Sequence, residues 1–259
     1  MNIICVVQAR MGSTRLPGKM MMDLCGEPVV ARVVEQVKRA KQVTRVVLAT
    51  TIDTSDGVLA QWAKINGVDC FRGSVNDVLD RYYQAAKEYR ADVVVRVTGD
   101  CPIADPSVID LVVEKYLEGA YDYVSNTIRP TFPDGLDCEV FSFATLERAW
   151  KEARLSSERE HVTPYIWKHS EIFKLSNVTC SGAQVLRCSG DLSHHRWTLD
   201  TAEDLDFLRL VMSELLKRNS SSRFEDVLEI LAEHPEWTAI NARHKRNEGY
   251  KKSVAADSV

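Results

Sequence analysis

What this 259-residue sequence lacks narrows its function before any motif is read. It has no C-x-x-C pair: its seven cysteines, Cys5, Cys25, Cys70, Cys101, Cys138, Cys180 and Cys188, are scattered and odd in number. That spacing removes the usual signature of a redox or zinc pair and predicts reduced core thiols in a cytoplasmic protein. No charged leader with an apolar stretch and cleavage site opens the chain, and no long apolar run follows. Neither export nor membrane insertion is expected. Basic residues are not in excess, and a formal charge of -4 with a pI near 5.9 gives no global attraction for nucleic acid. There is no internal repeat, low-complexity linker or second-domain boundary. One sizeable α/β unit over residues 1–240 is expected, followed by a basic, mobile tail over 241–259.

Two phosphate-binding motifs are missing as well. G-x-x-x-x-G-K-[ST] fails because Met20 follows Lys19, and there is no G-x-G-x-x-G. A kinase-type ATPase and an ordinary dinucleotide enzyme are both disfavoured. What the N-terminus holds instead is an apolar, β-branched run, Ile3 to Val7, that reads as a buried strand. It leads into a loop, Arg10 to Lys19, in which Gly12, Ser13, Thr14, Pro17 and Gly18 are interleaved with the cations Arg10, Arg15 and Lys19. A loop of this composition at a strand's carboxyl end can aim backbone N–H groups and cations at one polyanion. A triphosphate is the expected guest.

Further strands over 45–51, 68–72 and 91–98 alternate with amphipathic helices, which predicts a mainly parallel sheet covered by helices on both faces. Ligands of such sheets collect where strands end. There, after the fourth strand, stands Gly99-Asp100-Cys101-Pro102, while Asp105 reads as the cap of a helix beginning at Pro106. Beyond Gly119 the alternation weakens. Strands over 121–126, 136–141, 173–177 and 185–188, with helices over 142–153 and 158–169, predict a smaller antiparallel region. Later, in L-D-T-x-E-D-L, Thr201 caps a helix with Asp204 as its box partner, which leaves Asp200 without a structural role. The pair His194-His195 is not read as a zinc site, because adjacent residues on a strand point to opposite faces.

The run A-R-x-x-S-T-R-L-P-G-K, carried by Ala9, Arg10, Ser13, Thr14, Arg15, Leu16, Pro17, Gly18 and Lys19, resembles the signature loop of the cytidylyltransferases that make CMP-Kdo and, more loosely, CMP-sialate. Gln8 to Lys19, Arg72 to Tyr82, Pro133 to Phe141 and Glu158 to Tyr165 resemble the spore coat polysaccharide branch of that family. The resemblance implies a Rossmann-like nucleotide-diphospho-sugar transferase fold, with a substrate and dimerisation subregion over residues 120–195. It implies that Arg10, Arg15 and Lys19 hold the phosphates of CTP, within a loop that includes Ala9, Gly12 and Ser13. It further implies that Ser74 and Arg81 border the cytosine and triphosphate, and that Asp100 and Asp200 bind a catalytic Mg²⁺. Asp134, Asp137, Glu139, Arg159 and His161 become candidates for gripping the second substrate, a small acidic sugar, in a homodimeric enzyme. The Kdo enzymes carry proline where this chain has Met20 and glutamate where it has Cys101, so the sugar stays open. Two other readings stand beside this one: a glycosyltransferase of similar build using a nucleotide sugar, and a nucleotide-binding protein without turnover.

Overall fold

The computed structural model describes residues 1–182, 190–220 and 223–257. In chain order the elements are β1 (Ile3–Gln8), β2 (Asp23–Leu24), β3 (Glu27–Pro28), α1 (Val29–Lys38), β4 (Arg45–Thr51), α2 (Gly57–Ile65), β5 (Asp69–Gly73), α3 (Val78–Glu88), β6 (Val93–Thr98) and α4 (Pro106–Leu117). They continue with β7 (Tyr123–Ser125), β8 (Glu139–Ser142), α5 (Phe143–Glu152), α6 (Ser156–His161), α7 (Pro164–Lys168), β9 (Leu175–Asn177), α8 (Ala202–Lys217), α9 (Phe224–Glu233) and α10 (Glu248–Asp257).

Seven strands form one sheet in the order β5-β4-β1-β6-β8-β7-β9. β5, β4, β1 and β6 run parallel, β8 lies antiparallel between β6 and β7, and β9 pairs parallel with β7. The smaller region expected from sequence thus extends the edge of the main sheet, but β9, within the expected antiparallel strand over 173–177, runs parallel to β7. The only separate sheet among the described residues is the two-stranded β2–β3 hairpin. The expected strand over 185–188 lies outside the described residues.

The period-two alternation of β1 explains the two-sided core. Ile3, Cys5 and Val7 face a cluster that includes Val33 of α1, Val112 of α4 and Leu208 of α8, while Ile4 and Val6 face one that includes Leu79 and Tyr82 of α3. Each fully buried valine or leucine contributes about 1.5–3 kcal/mol relative to exposure. Local signals place the helices. Asp105 Oδ1 accepts from the N–H groups of Ser107 and Val108 ahead of Pro106, as expected. Thr201 and Asp204 form the reciprocal capping box that opens α8.

Three expectations are corrected. The single helix over 158–169 is two short ones, because Val162 takes a left-handed φ of 74° and Pro164 cannot donate to a continuing ladder. The tail, expected without regular structure, is helical over Glu248–Asp257, and Asp257 Oδ1 accepts from the Ser157 N–H at 3.0 Å. Its polar residues find partners on α6, which periodicity does not reveal. Finally, Cys5, Cys25, Cys70, Cys101 and Cys138 are free thiols, but Cys180 is disulfide-bonded.

Candidate active site

β1 and β6 are neighbours in register, with Gln8 opposite Thr98, so the loops that leave their carboxyl ends emerge side by side. The approach is close. The Gly99 N–H donates to the Gln8 carbonyl at 2.9 Å, and a Cβ on Gly99 would lie 2.7 Å from that same oxygen. Only glycine lets Asp100 stand so near the loop from Arg10 to Lys19. The loop has its own anchor in buried Asp56, whose Oδ1 accepts from the Met11 N–H at 2.6 Å. Ser13 Oγ accepts from the Leu16 N–H at 3.3 Å and holds the turn, while Gly12 and Arg10 are exposed and Ala9 is buried.

The third segment arrives from the other end of the chain. The Leu199 N–H donates to the Asp100 carbonyl at 2.8 Å, which sets Asp200 beside Asp100. Between the two carboxylates sits buried Lys19, whose Nζ donates to Asp100 Oδ2 at 3.2 Å, Asp200 Oδ1 at 2.9 Å and the Leu199 carbonyl at 2.6 Å. Burial works against the charge on Lys19, yet Asp100 and Asp200 outweigh it and raise its pKa. Burial likewise works against ionised Asp100, and Lys19 with Thr98 nevertheless holds its pKa below the usual value. Arg15 Nη2 lies 2.8 Å from Asp200 Oδ2. The role that Asp200 lacked in the sequence is therefore to accept from two cations of the N-terminal loop.

Arg196 was not singled out by sequence, yet it organises this side of the cleft. Its buried guanidinium donates to Asp204 at 2.9 and 2.8 Å, to Asp134 at 3.0 Å and to Asp200 at 3.3 Å. Asp134 is locked to it by backbone as well, donating its N–H to the His195 carbonyl and accepting from the Trp197 N–H at 2.6 Å. Burial and neighbouring Asp137 push Asp134 up to about 7, against the pull of Arg246 and Arg196. Asp137 is raised for the same leading reason, burial, and pairs with Arg246.

The remaining candidates divide. Ser74 Oγ accepts from the Asp77 N–H at 3.0 Å, so it stabilises the turn into α3. Arg81 is buried, 2% exposed, and its Nε and Nη1 have no hydrogen-bond partner among the described residues. Burial lowers its pKa and the charge of Arg10 adds to that. Glu139 is committed elsewhere: it is ion-paired with Arg96 and accepts from Tyr123 Oη at 2.5 Å and Thr163 Oγ1 at 2.6 Å. Arg159 clasps Asp77 at 2.6 Å and the Trp150 carbonyl at 2.7 Å. His161 faces α10 through Ser253 at 3.0 Å. The structure thus gathers Arg15, Lys19, Asp100, Asp134 and Asp200 and gives Glu139, Arg159 and His161 contacts of their own.

A family model described as Cytidylyltransferase matches residues 4–232. The chain belongs to the cytidylyltransferases. It is 36% identical over 253 residues to the uncharacterized protein MJ1063 of Methanocaldococcus jannaschii, covering 97% of this chain and 98% of that one. It is 28% identical over 240 residues to spore coat polysaccharide biosynthesis protein SpsF of Bacillus subtilis, covering 91% and 96%. A solved cytidylyltransferase from Leptospira borgpetersenii superposes with a TM-score of 0.83 at 36% identity, covering 92% and 97%. As a cytidylyltransferase the chain is a nucleotidyltransferase. Among the described residues no helix is long and apolar enough to cross a membrane.

Proposed function

We propose that this cytidylyltransferase transfers CMP from CTP to an acidic sugar or sugar-like acceptor and releases pyrophosphate. One observation carries the reading: Asp100 and Asp200, from remote segments, share the single ammonium of Lys19, itself part of the loop that offers Arg15 and Arg10. Phosphoryl-type transfer needs position and charge neutralisation more than a side-chain nucleophile. In this arrangement Arg10 and Arg15 hold the β- and γ-phosphates, and Lys19, whose three donors go to Asp100, Asp200 and the Leu199 carbonyl, adds its charge to neutralise the departing pyrophosphate. Arg81, with two buried donors unpartnered, offers hydrogen bonds to the acceptor atoms of a cytosine or a phosphate. Asp134 and Asp137 lie on the Asp100 side of the cleft, where the acceptor's hydroxyl groups find carboxylate partners.

The donor set suits Mg²⁺: two carboxylate oxygens converge on one cation, here an ammonium, and Mg²⁺ is commonly held by one or two carboxylates together with substrate phosphates. Asp100 and Asp200 would hold it, and when bound it would supply charge neutralisation at the α-phosphate. The polysaccharide-synthesis setting is supported by the likeness to SpsF. A screen of CTP with Mg²⁺ against Kdo, a nonulosonate and a phosphorylated polyol, read by pyrophosphate release, tests the reading. Release with one acceptor and CTP only is expected. Consumption of a CMP- or UDP-sugar without pyrophosphate would replace it with a glycosyltransferase.

A further inference from the structure

The C-terminal segment reaches into the cleft with charges of both signs. Asn241 is buried and donates through Nδ2 to the Arg196 carbonyl at 3.0 Å and to Asp204 at 2.9 Å. Arg246 pairs with Asp137 and donates to the Phe132 carbonyl at 3.0 Å. Two residues on, Glu248 Oε2 lies 3.4 Å from Nη1 of Arg15. Since Nη2 of Arg15 is already against Asp200, both arms of its fork are occupied by carboxylates. A triphosphate that takes the same face of Arg15 displaces one of them.

The surroundings decide which. Asp200 is fixed by Lys19 at 2.9 Å and Arg196 at 3.3 Å, and its own N–H donates to Asp204 at 2.8 Å. Among the described residues Glu248 has one ion pair and one backbone donor, the Lys245 N–H at 3.0 Å, and it sits on a helix without a buried residue. We propose that Glu248 competes with the nucleotide's phosphates for Arg15, so that triphosphate binding unlatches the start of α10 from the cleft. The inference rests on the assignment of Arg15 to the triphosphate made above.

The other contacts of α10 are polar or edge-on and therefore separable: Tyr250 against the His161 and Trp167 rings at 5.1 and 5.7 Å, Ser253 to Glu160 at 2.6 Å and to His161 at 3.0 Å, and Asp257 to the Ser157 N–H at 3.0 Å. Asn241 and Arg246 keep the segment tethered on the cleft side. Between tether and helix stands Asn247, with a left-handed φ of 61°, and there the swing would turn.

Calorimetric titration of the full chain with inorganic pyrophosphate, and separately with CTP and Mg²⁺, tests this on the wild type, Glu248→Gln and Glu248→Lys. Removing a partly exposed competing charge should tighten both ligands about three-fold in Glu248→Gln, and more in Glu248→Lys. Backbone amides of α10 in the wild type should exchange faster with deuterium once CTP and Mg²⁺ are added. Equal or weaker binding by both variants, or α10 protection that CTP leaves unchanged, overturns the latch. If the wild type binds neither ligand, the nucleotide assignment itself falls. Binding by the wild type with no gain in the variants removes only the latch.

Discussion

Leu199 donates its backbone N–H to the carbonyl oxygen of Asp100 at 2.8 Å, and through that bond two remote motifs become one site. Thr198 Oγ1 donates to the same carbonyl at 3.2 Å. The approach of the Asp100 and Asp200 segments is thereby fixed by the Asp100 carbonyl, and the Lys19 ammonium then orients the two side chains. Lys19, fixed in the loop after β1, then has a defined place between them.

Replacing either carboxylate by its amide keeps shape and removes charge. Asp100→Asn and Asp200→Asn should each lower pyrophosphate release by about a thousand-fold, the scale of losing a charge-stabilising group at a reacting centre. Circular dichroism should remain native, because Lys19 keeps one carboxylate and the Leu199 carbonyl. Near-normal turnover in either variant would refute the role given to that aspartate.

Lys19→Met removes the cation and leaves Asp100 and Asp200 facing each other. A loss of about 1–3 kcal/mol is expected at pH 7, below the cost of breaking a fully buried pair because both carboxylates are partly exposed. The pH dependence has a definite sign. Asp100 is depressed in the fold, so its contribution is present above the unfolded carboxylate pKa of about 4 and is lost as pH falls through the folded value. Lys19 is raised, so its contribution holds below the unfolded lysine value of about 10.4 and disappears only above it. Urea titrations should therefore show the gap between wild type and Lys19→Met narrowing at pH 3 relative to pH 7. A gap that widens in acid would contradict the pairing.

Gly135 lies under the Asp134–Arg196 contact with a φ of 116°. An added Cβ would come within 2.6 Å of the Trp197 carbonyl carbon and 2.8 Å of the Thr198 nitrogen, backbone atoms that cannot swing away. Gly135→Ala should cost about 3 kcal/mol or more, visible as a lowered urea midpoint. It should also impair activity, since the same backbone positions Asp134 and leads on to Asp200.

Which features were readable in advance follows from their range along the chain. The parallel strands showed as β-branched runs such as Val93–Val97, and the caps Asp105 and Thr201 as short-range polar signals, so β1, β4, β5 and β6, the helices α1 to α4 and the start of α8 were legible, while the two-residue strands β2 and β3 are too short to show a pattern. Asp200 was legible by subtraction, a carboxylate outside a box that Thr201 and Asp204 already completed. Arg196 was not: its partners Asp134, Asp200 and Asp204 come together only once the chain has folded. Glu139, Arg159 and His161 were named from charge, which in sequence does not distinguish a group open to a ligand from one paired inside, as Glu139 is with Arg96. The tail was hidden for the same reason, as Arg246 and Glu248 acquire partners from residues far upstream.

Arg81 offers the sharpest separation of function from stability. Its side chain is buried, and its Nε and Nη1 donate to nothing among the described residues. A buried guanidinium with idle donors costs the fold desolvation that hydrogen bonds do not offset. Burial is the leading reason its pKa is lowered, and Arg10 repels it further. Arg81→Met keeps much of the volume and removes the charge, so the urea midpoint should stay level or rise, against the usual direction for a core substitution. CTP affinity should fall about ten-fold, the loss of one charge-assisted hydrogen bond. Calorimetry beside the urea titration checks both halves. A variant that unfolds more easily and binds CTP as before would make Arg81 a structural residue and remove it from the nucleotide site.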